Sequence, residues 1–222
     1  MTPAAALPGA CFQVSDEKPA GLAWDGEHFW IADAARALIH EWDPAGGASL
    51  RSIQLTDIKP GALAWDGSRL WCLDADARKI HKLDVDSGAV LATIDAPVVK
   101  LRGKPVKAAG LAWDGECLWT GCIAGWSSRM YQIDPADGHV KRWIYSRGLP
   151  RALACDGKHL WSAADAAAEG KPGVIFKYDL AAGRCLAHAK TEPAKTVGLA
   201  HDGSRLWRLD ENQKTARQLA SE

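Results

Sequence analysis

The chain has 222 residues, of which 47% are hydrophobic and 24% charged, with 27 Lys and Arg against 27 Asp and Glu. This length suits one large domain with its own core. The even charge balance argues against a nucleic-acid or anionic-membrane surface, which would carry a basic excess. No apolar run nears the ~20 residues of a membrane-spanning helix. The opening MTPAAALPGAC has neither the basic start nor the apolar length of a signal peptide. A soluble monomer is the expectation, with the compartment left open.

The first expected element is a strand in CFQVSD, Cys11 to Asp16. After it the chain repeats itself. The segments GLAWDGEHFW, ALAWDGSRLW, GLAWDGECLW, ALACDGKHLW and GLAHDGSRLW carry Asp-Gly pairs at Asp25, Asp66, Asp114, Asp156 and Asp202, spaced 41, 48, 42 and 46 residues apart. Each unit has one grammar. A short apolar strand ends at Asp-Gly, a hairpin signal because glycine accepts positive φ in a tight turn. A second strand carries Trp30, Trp71, Trp119, Trp161 or Trp207. A third strand follows, as in LIHEWD or KIHKLD, then a Gly-containing turn and a fourth strand. No segment holds a 3.6-residue period, so helices are not expected. Four short antiparallel strands in such a repeat make one propeller blade.

The fold class is therefore all-β, a five-bladed β-propeller in one domain. The repeats span about 17–57, 58–105, 106–147, 148–193 and 194–222, with 10–16 added to the last. The fifth unit lacks a fourth strand, and CFQVSD is a spare one. The N-terminal strand is expected to complete the last blade and close the ring. The Trp-Asp pairs do not make a WD40 repeat, since they end the first strand of a unit, not the third.

Propellers commonly bind ligands on the face that carries the loops before each first strand. There the repeats place Lys18, Lys59, Lys107 and Lys195, with Arg151 nearby in the fourth unit. Asp33, Asp74 and Asp210 stand three residues after the second-strand Trp, with Cys122 at that place in the third unit. Two readings stay open. These residues form a polar pocket for a small anionic or zwitterionic ligand, or they brace the blades. Departures from the repeat point further. The third unit has a longer loop with Trp126 and Arg129, the fourth has DAAAEGKPG, and Cys155 and His201 replace a first-strand Trp. Trp126 beside Arg129 could stack on a ligand. Six scattered cysteines are expected to be free buried thiols. His201, Cys155 and Cys122 lack metal-ligand spacing, so no metal and no cofactor is expected.

GWSSRMYQIDPADG, GKPGVIFKYD and GLAHDGSRLW together resemble, in order, segments of the plant and bacterial type of glutaminyl cyclase. That resemblance covers about half the chain and implies a five-bladed propeller. The family's activity is cyclisation of N-terminal glutamine with loss of ammonia. The resemblance places its proton-handling Glu at Thr120 and the Trp before its last motif at Val197. A threonine is no general acid or base. The expected function is a cyclase-like propeller that binds a small molecule or peptide terminus at the channel mouth. The alternatives are an active cyclase with a rearranged acid/base, for which Asp165 or Glu169 is available, and a protein-interaction scaffold.

Overall fold

The computed structural model describes residues 10–101, 104–122, 128–164 and 171–219. Every Asp-Gly pair reverses the chain where expected. Gly26, Gly67, Gly115, Gly157 and Gly203 all have positive φ, between 85° and 111°. The preceding aspartate holds each turn shut. Asp25 Oδ1, for example, accepts the amides of Glu27 and His28 at 2.8 and 2.7 Å.

Five four-stranded antiparallel sheets result, in the order expected of propeller blades. Blade 1 is β2 (Pro19–Trp24), β3 (Phe29–Asp33), β4 (Leu38–Trp42) and β5 (Ser49–Gln54). Blade 2 is β6 (Leu63–Trp65), β7 (Leu70–Asp74), β8 (Lys79–Leu83) and β9 (Val90–Asp95). Blade 3 is β12 (Ala108–Trp113), β13 (Leu118–Cys122), β14 (Arg129–Ile133) and β15 (Val140–Tyr145). Blade 4 is β16 (Ala152–Cys155), β17 (His159–Ala164), β18 (Val174–Asp179) and β19 (Cys185–Lys190). Blade 5 has β20 (Thr196–His201), β21 (Leu206–Asp210) and β22 (Thr215–Gln218), and its outer strand is β1 (Cys11–Gln13).

The borrowed strand pairs antiparallel with β22, Phe12 opposite Ala216. Its hold is largely aromatic. The Phe12 ring lies 5.9 Å from both Phe29 and Trp42 and 6.0 Å from Trp207, so one side chain joins the seam blade to blade 1. A short hairpin that the sequence reading missed, β10 (Val99–Leu101) and β11 (Lys104–Val106), bridges blades 2 and 3. Val99 and Val106 pack on the core between those blades.

The core lies between blades. Each second-strand Trp lodges against apolar residues of the next blade. Trp30 meets Leu63, Leu70 and Leu83, Trp71 meets Leu111, Leu118 and Ile133, and Trp119 meets Leu153, Leu160 and Tyr178. Trp207 closes the circle against Leu22, Phe29 and Trp42 of blade 1. These four are fully buried. Burying such a ring contributes several kcal/mol by area, roughly 25 cal/mol per Å2 over 150–250 Å2. The inner strands pack backbone to backbone. A Cβ on Gly21 would stand 2.2 Å from the Gly61 carbonyl oxygen.

All six cysteines are free, as expected. They are not uniformly buried: Cys72, Cys117 and Cys122 are, Cys155 and Cys185 are intermediate, and Cys11 is exposed. Cys11 lies on the outermost strand of the seam blade, which has a neighbour on one side only. Among the described residues no helix is long and apolar enough to cross a membrane.

Candidate ligand site at the channel mouth

The five first strands surround the central channel. At one end it narrows to about 60 Å3 among Trp24, Trp65, Trp113, Cys155 and His201, the last residues of those strands. At the other end it opens into a cavity of about 190 Å3 walled mostly by small side chains, including Ala20, Ala62, Ala75, Ala108 and Ala109. Cys155 and His201 thus stand at the end away from this mouth. Cys122 pairs with Ala108 at the mouth end of blade 3, its Sγ 3.8 Å from the Pro97 carbonyl oxygen. These three do not converge, and burial pushes the Cys122 thiol up to about 11.

Among the described residues two cations reach the mouth cavity, Arg151 and Lys195, and no carboxylate lines it. The place of Arg151 is particular. Counting five residues back from each Asp-Gly aspartate gives Ala20, Gly61, Ala109, Arg151 and Val197. Of these, Ala20, Ala109 and Val197 line the cavity with small or apolar side chains, and blade 4 presents a guanidinium. The sequence reading set Arg151 beside the loop lysines, whereas the strand register puts it on the channel wall. Lys195 immediately precedes β20, with its ammonium 2.7 Å from Glu211 Oε2.

The repeated aspartates have structural partners. Asp33 is buried and accepts the amides of Glu17, Lys18, Ala35 and Arg36. Burial works against its charge, but those amides outweigh it and hold the carboxyl below the usual range. Asp74 accepts the amides of Lys59, Asp76 and Ala77, and Asp210 those of Asn212 and Gln213. Each of these acids closes the turn after a second strand. In blades 1 and 2 it also fastens the chain entering the first strand. The ammonium groups of Lys59 and Lys107 both meet Asp76, and Lys18 is exposed.

Arg129 faces outward in the sheet order, paired with Tyr145 of the outermost strand. Its guanidinium lies 4.1 Å from the Trp143 ring and 5.6 Å from Tyr145. Trp126, Asp165 and Glu169 lie outside the described residues. Thr120, where the cyclase resemblance places the proton-handling Glu, is fully buried, and its hydroxyl donates to the Gly110 carbonyl at 2.8 Å.

Blade 4 breaks the pattern elsewhere. In the other blades the Asp-Gly carboxylate also accepts the second-strand indole: Asp25 from Trp30, Asp66 from Trp71, Asp114 from Trp119 and Asp202 from Trp207, all at 2.7–2.9 Å. The Asp-x4-Trp spacing in the sequence carries this signal, and sequence reasoning passed over it. In blade 4, Asp156 meets His159 instead, and Trp161 Nε1 has no partner among the described residues. Beside it a groove of about 750 Å3 runs between blades 4 and 5, lined in part by Trp161, Lys177, Arg208 and Arg217.

Sheet order, strand count and channel define an all-β five-bladed propeller. Comparison with solved structures agrees on the fold. Glutaminyl cyclase of Myxococcus xanthus superposes with a TM-score of 0.73 at 14% identity, over 95% of this chain and 93% of that one. A chain of the nidogen/laminin complex gives 0.62 at 17% identity, over 86% and 72%. Hydrazine synthase of Kuenenia stuttgartiensis gives 0.56 at 18% identity, over 88% of this chain, which spans 56% of that one. No family model matches the sequence, and no curated protein matches it. At these identities the likeness is one of fold.

Proposed function

We propose that this propeller is a binding module for a small carboxylate-bearing ligand, a free acid or a peptide terminus, held at the channel mouth. The observation that carries the reading is Arg151, a guanidinium lining the cavity at a position where three other blades line it with Ala or Val. A guanidinium matches a carboxylate with two parallel hydrogen bonds. Lys195 adds a second cation on the same cavity. The residues Lys18, Asp33, Lys59, Asp74, Lys107, Asp210 and Cys122 then shape and brace the blades beneath the site.

A catalytic reading as a glutaminyl cyclase has the fold likeness behind it, but Thr120 supplies no acid or base. The test is a thermal-shift series with small mono- and dicarboxylic acids, matched amines and short peptides, on the native protein and on R151A. Acids should raise the melting temperature of the native protein, and R151A should lose that rise. A shift from amines alone, or an equal shift in R151A, would overturn the proposal. Ammonia release from a Gln-initiated peptide would establish the catalytic alternative.

A further inference from the structure

Asp16 lies in the link between the seam strand and blade 1, and it is 1% exposed. Neither of its carboxylate oxygens has a hydrogen-bond partner among the described residues. A carboxylate buried without a donor is costly, and such a group must take up either a proton or a counter-ion. A second buried carboxylate and an imidazole lie close to it, and the charges of Arg36 and Lys214 also reach it. Asp16, Asp33 and His40 each offer one ligand atom, and these atoms lie within 4.8 Å of one another. His40 Nε2 is 3.1 Å from Asp16 Oδ1, an ion-pair contact without hydrogen-bond geometry, and it has no hydrogen-bond partner among the described residues.

We propose that Asp16, Asp33 and His40 form a binding site for one divalent transition-metal cation of the zinc type, joining the ring-closing segment to blade 1. The donor set is one imidazole nitrogen and two carboxylate oxygens, which suits such ions. In a tetrahedral site with bonds of about 2.0–2.2 Å, donors stand ~3.3 Å apart, close to the spacing of Asp16 and His40. Asp33 Oδ2 accepts the Glu17 amide and has the Arg36 guanidinium 3.9 Å away, beyond hydrogen-bond distance, so a lone pair stays open to the ion.

Two comparisons within the chain support the assignment. TDIKPG in blade 2 repeats SDEKPAG, and His81 stands where His40 does. There Asp57 has φ +58° and is exposed, while His81 Nδ1 meets Thr93 Oγ1 at 2.9 Å. The same residue types thus stay apart where the backbone turns the acid outward. Asp25, His28 and Glu41 also lie within ligand distance. There, however, Asp25 holds two amides and an indole, so its oxygens are already taken.

The test is titration of chelator-treated full-length protein with zinc and, separately, cobalt(II), followed by calorimetry, melting and visible spectra. One equivalent should bind. Zinc at about 100 times its dissociation constant should raise the melting temperature by roughly 5–10 °C. The cobalt spectrum should show ligand-field bands without thiolate charge transfer. D16N and H40Q should each weaken binding at least tenfold, and C11S should not. His40 is partly exposed, so H40Q remains informative should D16N fail to fold. Absence of binding, unchanged affinity in H40Q, or loss of binding in C11S would overturn the proposal.

Discussion

His159 Nδ1 lies 2.8 Å from Asp156 Oδ2, the carboxylate oxygen whose counterparts in the other four blades hold an indole. The cause sits one strand away. In blade 1 the corresponding His28 reaches Glu41, 2.9 Å distant. In blade 4 the residue opposite Trp161 is Lys177, which stacks over that ring at 4.7 Å and offers no acceptor. His159 therefore turns to Asp156, and the Trp161 indole loses its acceptor.

H159A should restore the missing bond. With the imidazole gone, Asp156 Oδ2 is free for Trp161 Nε1, satisfying a buried donor worth about 1 kcal/mol. Urea unfolding should show a gain of that order, and the Trp161 indole proton should become protected from exchange. A loss of stability would contradict the account.

The four intact Asp–indole pairs should be costly to break. Asp66 bonds Trp71, Lys82 and the amides of Ser68 and Arg69. D66N keeps the shape but removes the charge behind these bonds, so about 1.5–3 kcal/mol should be lost. D156N, in the blade whose indole is already unpaired, should cost less. Equal losses in denaturant titrations of the two variants would refute the ranking.

The same carboxylates set the acid limit of the fold. Burial alone would raise Asp66, but Lys82, Trp71 and the turn amides outweigh it and bring it down to about 2. Asp114 and Asp202 are also lowered, with burial opposed by their turn amides and indoles. A depressed folded value means the unfolded chain binds protons first. Their contribution is therefore full above the ordinary aspartate value near 4 and is lost as pH falls toward 2. Unfolding free energy measured from pH 6 to pH 2.5 should fall steeply below about pH 4, with a smaller fall in D66N.

The seam gives a further pair of expectations. F12A removes the ring that touches Phe29, Trp42 and Trp207 and should cost about 3–5 kcal/mol. Deleting residues 1–16 removes that ring and the outer strand together, and should cost more than F12A. A deletion variant that melts like the native protein would show that the ring does not need its seam.

G21A tests the inner wall. A Cβ there would meet the backbone of Gly61 and Ala62 at 2.2–2.9 Å, which no rotamer change relieves. It should destabilise by more than the ~1 kcal/mol, in either direction, expected of glycine-to-alanine changes at open sites.

Blades, strand order and seam were legible in the sequence because Asp-Gly turns punctuate every unit at near-constant spacing. The same regularity hid the site. Arg151 reads as one more loop cation until the pairing of Ala152 with Ala163 shows it at the channel-wall position. Asp16 and Asp57 sit in near-identical segments, and only backbone geometry buries one and exposes the other. The hairpin of β10 and β11 escaped notice because it belongs to no repeat. The resemblance to glutaminyl cyclases pointed to the right fold, and Thr120, bonded to the Gly110 carbonyl, is where its chemistry stops being legible here.

The seam also fixes an order of events during synthesis. Strand β1, residues 11–13, emerges from the ribosome before any blade exists, yet its partner β22 comes some 200 residues later. Until then a nascent chain leaves β1 without its partner strand, and Phe12 without Trp207, beside up to four finished blades. Contacts this distant in sequence are slow to form. A permuted chain that began between blades 1 and 2, with the old ends linked, would complete every blade from continuous sequence. It should therefore fold faster than the natural order, at the expense of the non-local stitch that holds the ring shut.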